Sequence, residues 1–155
     1  MKDLFTFIDN WNSYRPFLYE ALELTKNGKV FEFGVGDGST LLLKEYCKKN
    51  NREYKGFDYD KDWAKKYNAE IISDWNLIPI EELSVLFIDH SPGERRVDDI
   101  IRWANDAKII VAHDTEPAAD HGYKMSKAWI YFKYVKHYET NGAWATMASN
   151  FFPLS

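Results

Sequence analysis

The chain has 155 residues, 45% of them hydrophobic, 28% charged and 17% aromatic, with a net charge of −4. One domain of α/β size is expected, with a core able to form without staples, and the acidic balance argues against a general nucleic-acid surface. A single cysteine, Cys47, excludes an intramolecular disulfide and a cysteine zinc site, and no apolar run nears the ~20 residues of a membrane span. The first residues lack the apolar core of a signal peptide, so a cytoplasmic protein is the expectation.

Residues 3 to 26 place Leu4, Phe7, Ile8, Trp11, Phe17, Leu18, Ala21 and Leu22 at helical spacing, broken by Pro16, and Asn27-Gly28 stops the second helix. "KVFEF" predicts a first strand, "STLLLKEYCKKNN" a helix, "EYKGFD" a second strand, "KDWAKKYN" a short helix and "AEIIS" a third strand. "SVLFID" reads as a strand buried on both faces, "ERRVDDIIRWAND" as a helix and "AKIIVAHD" as a fifth strand. The two runs "YFKYVKHYET" and "AWATMASNFF", separated by Asn141-Gly142, predict a β-hairpin around a two-residue turn. Such alternation implies a doubly wound, mostly parallel sheet with helices on both faces, here a Rossmann-like α/β fold with an antiparallel hairpin. Ligands in such sheets bind beyond the carboxyl ends of the strands, where the strand order reverses.

The candidate functional residues fall at those ends. After the first strand comes Gly34-Val35-Gly36-Asp37-Gly38-Ser39, and glycines there permit positive φ and close backbone approach beside a helix N-terminus. Asp58 follows the second strand, 24 residues beyond Gly34, where a carboxylate accepts from ribose hydroxyls. Asp74-Trp75, Asp89-His90 and His113-Asp114 follow the third, fourth and fifth strands. A dinucleotide fingerprint requires glycine where Ser39 stands, which disfavours a dehydrogenase.

The pattern E-x-G-x-G-x-G from Glu32 to Gly38, with Asp58 and the closing hairpin, resembles the class I S-adenosylmethionine-dependent methyltransferases over most of the chain, from about residue 28 to the end. That resemblance implies a seven-stranded sheet and a single cofactor-binding domain over 1–155, with 1–27 as N-terminal helices and 28–155 as core. It implies S-adenosylmethionine as cofactor. Glu32, Gly34, Gly36 and Gly38 would hold the methionine end, with Ser39 and Thr40 bonding its carboxylate. Asp58 would take the ribose, Tyr59 the adenine face and Asp74 the adenine amino group, while Trp75 either covers the ring or packs in the core.

"FIDHSPGERR" looks like the corresponding segment of catechol and sugar O-methyltransferases, which bind magnesium. On that pattern Asp89, a cofactor-site residue, and Asp114 would be the metal ligands, yet His113 offers nitrogen and Pro92 replaces a lysine of that family. "AHDT" equally resembles members in which no metal need be assumed. His113 with Asp114, then His90, are the candidate catalytic groups, and His121 is a third imidazole. Arg95 and Arg96 read as the start of a solvated helix in preference to an anion site. The expected activity is methylation of a small-molecule acceptor, on oxygen, with neither nucleic acid nor membrane as partner. The other reading is a module that binds S-adenosylmethionine or S-adenosylhomocysteine without transfer. Phe7, Trp11 and Tyr14 either roof a planar acceptor or pack on the sheet; the oligomeric state is left open by the sequence, with exposed aromatics on the hairpin as one surface that could pair two chains.

Overall fold

A computed structural model describes residues 1–6 and 11–155. Seven strands form one sheet in the order β3-β2-β1-β4-β5-β7-β6. They are β1 (Val30–Phe33), β2 (Tyr54–Asp58), β3 (Glu70–Ile71), β4 (Leu83–Ile88), β5 (Ala107–His113), β6 (Tyr134–Tyr138) and β7 (Ala145–Ser149). The first five are parallel, and β7 lies between β5 and β6, antiparallel to both. The expected Rossmann-like sheet and its antiparallel hairpin strand are therefore present.

Alternation along the strands separates two cores. Val30, Val85, Phe87, Ile109 and Val111 face α2 (Arg15–Thr25) and α3 (Thr40–Lys49), through Leu18, Leu22 and Leu43. Phe31, Phe33, Leu86, Ile88 and Ile110 face α5 (Arg96–Trp103), through Ile100 and Trp103. All six residues of β4 are buried, Ser84 among five apolar ones, as a strand covered on both faces requires. Cys47 packs in the first core, and burial pushes its thiol up to about 11, so it serves packing and not chemistry. Arg52 is buried as well. It donates to the carbonyls of Leu22 and Gly28 and to Thr25 Oγ1, each at 3.0 Å, and so satisfies the end of α2.

Several boundaries differ from the sequence reading. The remaining helices are α1 (Lys2–Thr6), α4 (Lys61–Tyr67) and α6 (Pro117–Tyr123). The expected first-helix residues Phe7 and Ile8 lie outside the described residues. Helix α6 and the 3₁₀ segment Met125–Tyr131 have no counterpart among the predicted elements. The hairpin turns through six residues, 139–144, and not two. Thr140 organises it, accepting from Gly142 N–H and donating to the Ala143 carbonyl, while its own carbonyl accepts from Trp144 Nε1. Tyr14 does not roof a ligand; it packs on the sheet against Phe87 and His113, at ring separations of 4.6 and 4.8 Å.

The strand order reverses between β1 and β4, and Gly34 makes that junction tight. Its φ is +86°, and a Cβ there would lie 2.5 Å from the Asp89 carbonyl oxygen and 2.6 Å from His90 Cα. A side chain is thus excluded twice, by conformation and by contact. Gly36 meets nothing within 4 Å. Gly34→Ala is expected to destabilise the chain by about 2–5 kcal/mol, and Gly36→Ala by less than about 0.5 kcal/mol. Paired denaturant titrations measure both, and equal effects would contradict this account of the junction.

Candidate active site

The ends of β1, β2 and β4 enclose a cleft of about 230 Å³. From the sequence-predicted set it gathers Gly34, Asp58, Tyr59 and Asp89, and to these the fold adds Val35, Asp60, Trp63 and Ser91. This is the switch-point crevice.

Asp58 is fixed by its neighbours. Its Oδ2 accepts from Val35 N–H at 3.1 Å and its Oδ1 from Asp60 N–H at 3.0 Å. Burial raises its pKa despite those bonds. Each carboxylate oxygen retains a lone pair beyond the bond it makes, so two further donors can be accommodated. Asp60 caps α4 by accepting from Trp63 N–H at 2.9 Å, which directs that helix across the cleft. The Trp63 indole then donates to the Val35 carbonyl, and Lys66 pairs with Asp37 at 3.2 Å. Trp63 was not among the expected site residues. Its signal was positional, since it stands three residues beyond Asp60, the cap of the helix that follows β2.

Gly38 and Gly34 answer to the protein's own packing. A Cβ at Gly38 would strike Asn12 and Tyr14, so that glycine admits the N-terminal segment and not a ligand. Arg15 holds the same turn by donating from Nε to the Gly38 carbonyl at 2.9 Å. Gly34 lines the cleft through its backbone, whereas a Cβ at Gly36 would meet nothing within 4 Å, so of the three glycines only Gly36 has room for a side chain.

Glu32 is fully buried on the α2–α3 face. It accepts from Ser39 Oγ and Tyr54 Oη, while Thr40 Oγ1 accepts from Gly36 N–H at 2.8 Å. Ser39 and Thr40 are therefore buried and engaged inside the protein, where the reading from resemblance has them bonding a cofactor carboxylate. Burial raises the Glu32 pKa to about 7, against the pull of its hydrogen bonds.

The remaining candidates divide. Asp74 is exposed and accepts from Asn76 N–H at 2.9 Å, a cap of the 3₁₀ turn Trp75–Leu77 outside the cleft. Trp75 is core: its ring lies 5.3 Å from Phe33 and 4.1 Å from His90, and its Nε1 donates to the Ser91 carbonyl at 3.2 Å. His90 also turns inward. Burial lowers its pKa, so the neutral ring donates Nε2–H to Asp99 at 2.8 Å, and Arg95 holds the same carboxylate at 2.8 and 3.1 Å. His121 is exposed on α6.

At the ends of β4 and β5, ligand atoms of Asp89, His113 and Asp114 lie within 4.8 Å of one another. Asp114 sits in the left-handed region at φ +56°, which an aspartate tolerates. His113 is buried, with Nδ1 3.4 Å from Asp89 and 3.6 Å from Asp114. Burial opposes its protonation, but the two carboxylates prevail and raise its pKa. Arg96, expected on a solvated helix start, is instead buried among these groups. It is the residue that sequence reasoning missed most completely. The available signal was the two acids themselves, which must meet a counter-charge when neighbouring strands bring them together.

No family model matches the sequence, and no curated protein is similar to it. Solved structures do match in fold. One is a putative O-methyltransferase from Klebsiella pneumoniae, 12% identical, covering 95% of this chain and 83% of that one with a TM-score of 0.65. Another is a SAM-dependent methyltransferase from Archaeoglobus fulgidus, 13% identical, covering 91% and 94% with a TM-score of 0.60. A third is the T. thermophilus 16S rRNA N2 G1207 methyltransferase in complex with AdoMet and guanosine, 9% identical, covering 86% of this chain and 39% of that one with a TM-score of 0.58. The chain thus shares the fold of S-adenosylmethionine-dependent methyltransferases.

The raised Glu32 pKa sets a pH dependence. The folded chain keeps a proton that the unfolded chain releases near 4.5, so stability is full below that pH and is lost as pH rises through about 7. The loss is about 3 kcal/mol. Glu32→Gln is expected to flatten the melting-temperature profile over this window. Parallel profiles for variant and wild type would show that Glu32 burial is not the cause.

Proposed function

We propose that the chain is a class I S-adenosylmethionine-dependent methyltransferase, one cofactor-binding domain that methylates a small-molecule acceptor on oxygen. Asp58 carries this reading. Its carboxylate stands at the end of the strand beside the switch point, anchored by two backbone N–H groups and able to accept two more donors. Adjacent ribose hydroxyls are such a pair of donors. Tyr59 and Trp63 supply aromatic walls for a purine, and the gap beside Gly36 leaves room for the amino-acid tail.

Bound there, S-adenosylmethionine would supply an electrophilic methyl group on a sulfonium. The chain's part is to orient an acceptor in line and to hold its proton. Asp89 lines the cleft, whereas His113 stands behind it with its ring against Tyr14. His113 therefore positions Asp89, and Asp89 is the group that meets an acceptor hydroxyl. Asp58, Asp60 and Asp89 make the wall acidic, and the chain carries −4 overall. Both features disfavour a phosphate backbone and support a small acceptor over RNA. The second reading, a binder of S-adenosylmethionine or its product, is favoured by the inward placement of His90 and His113.

Calorimetric titration tests the reading. S-adenosylmethionine and S-adenosylhomocysteine are expected to bind, with NAD much weaker, and Asp58→Asn is expected to cost roughly 10- to 100-fold in affinity. Unchanged affinity in Asp58→Asn, or binding of NAD alone, would refute it. Labelled methyl transfer to phenols and sugars, against transfer to RNA, decides the acceptor. Binding without transfer to any of them selects the second reading.

A further inference from the structure

Strands β4 and β5 are parallel neighbours, with Ile88 opposite Ala112, so the residues that follow them emerge side by side. Asp89 and Asp114 therefore converge, with His113 between them, and two carboxylates and an imidazole at this spacing are a donor set that divalent cations select. Arg96 already occupies it. From the first turn of α5 its guanidinium reaches Asp89 Oδ1 through Nη2 at 3.2 Å and Asp114 Oδ2 through Nη1 at 3.0 Å. Its Nε donates to the His90 carbonyl at 2.8 Å and its Nη1 to the His113 carbonyl at 3.3 Å. The Tyr123 ring of α6 lies 5.1 Å from the guanidinium carbon.

We propose that Arg96 is the built-in counter-cation of the Asp89–Asp114 pair, standing where a divalent metal would stand, so that this cluster takes no metal. Each guanidinium nitrogen is committed, and the side chain is only 6% exposed, so it cannot swing into solvent to make way. A divalent ion between the same carboxylates would face a fixed positive charge at close range, with one pair of acids to serve both. A planar, permanently charged fork suits this bridging task as a lysine would not. The donor set also includes nitrogen, which magnesium avoids. The magnesium pattern suggested by "FIDHSPGERR" thus does not fit the residues in place. Arg96 acts as a positioning residue, fixing Asp89 at the cleft wall. The assignment does not depend on which reaction the cleft supports.

Manganese titration of the full chain, read from the electron paramagnetic resonance signal of free Mn²⁺, tests this directly. Wild type is expected to bind no more Mn²⁺ than Asp89→Asn or Asp114→Asn. Arg96→Gln, with folding checked by circular dichroism, is expected to bind at least roughly tenfold more tightly. Adding Asp89→Asn to Arg96→Gln should remove that gain. A wild-type Mn²⁺ site lost in Asp89→Asn would overturn the proposal, and so would a folded Arg96→Gln that gains nothing. Should Arg96→Gln not fold, the comparison of wild type with the two aspartate variants decides alone.

Discussion

The end of β1 lies against the end of β4 because residue 34 has no side chain. At φ +86°, with the Asp89 carbonyl and His90 Cα at contact distance from where a Cβ would stand, the backbone there accepts glycine and little else. Around that junction Asp58 and Asp89 both line the cleft, and His90 turns inward with its ring 4.1 Å from that of Trp75. The glycine turn thus serves first to join strands, with the Gly34 backbone at the cleft and open room for a Cβ at Gly36.

The acids at the strand ends are not equivalent, and their partners sort them. Asp74 caps a turn, and Asp99, within α5, receives both a neutral imidazole and a guanidinium. Asp89 and Asp114 share Arg96. Glu32 is closed off by Ser39 and Tyr54. Asp58 is held only by backbone N–H groups and so keeps capacity for a neutral donor pair. Burial of polar groups without partners is costly, and while these acids are all engaged, His90 Nδ1 and His113 Nε2 are buried without a hydrogen-bond partner.

The central strands were legible because "SVLFID" and "AKIIVAHD" are short, β-branched apolar runs bounded by polar segments, with the alternation of elements along the chain supplying the rest. Helix α6 was not, since the seven residues PAADHGY carry no periodic apolar stripe, nor was the 3₁₀ segment MSKAWIY, whose apolar residues show neither a strand's alternation nor a helix's period. The hairpin turn misled because Asn141-Gly142 is a strong local signal, overridden here by the hydrogen bonds of Thr140. At the site, position along the chain identified Gly34, Asp58, Tyr59 and Asp89. Direction was beyond it: whether His90 turns inward, or Arg96 folds back over the strand ends, depends on packing between elements far apart in sequence. Trp75 illustrates the same limit, since both of its readings suit an aromatic after a strand and only its burial against Phe33 and His90 separates them.

The account rests on a nucleoside lying across the ends of β1 and β2, and a crystal structure with S-adenosylhomocysteine examines that with no assay of turnover. It should show both ribose hydroxyls on the Asp58 carboxylate, the purine between Tyr59 and Trp63, and the amino-acid tail beside Gly36. A ligand bound at another edge of the sheet, or an empty crevice at saturating concentration, would contradict it.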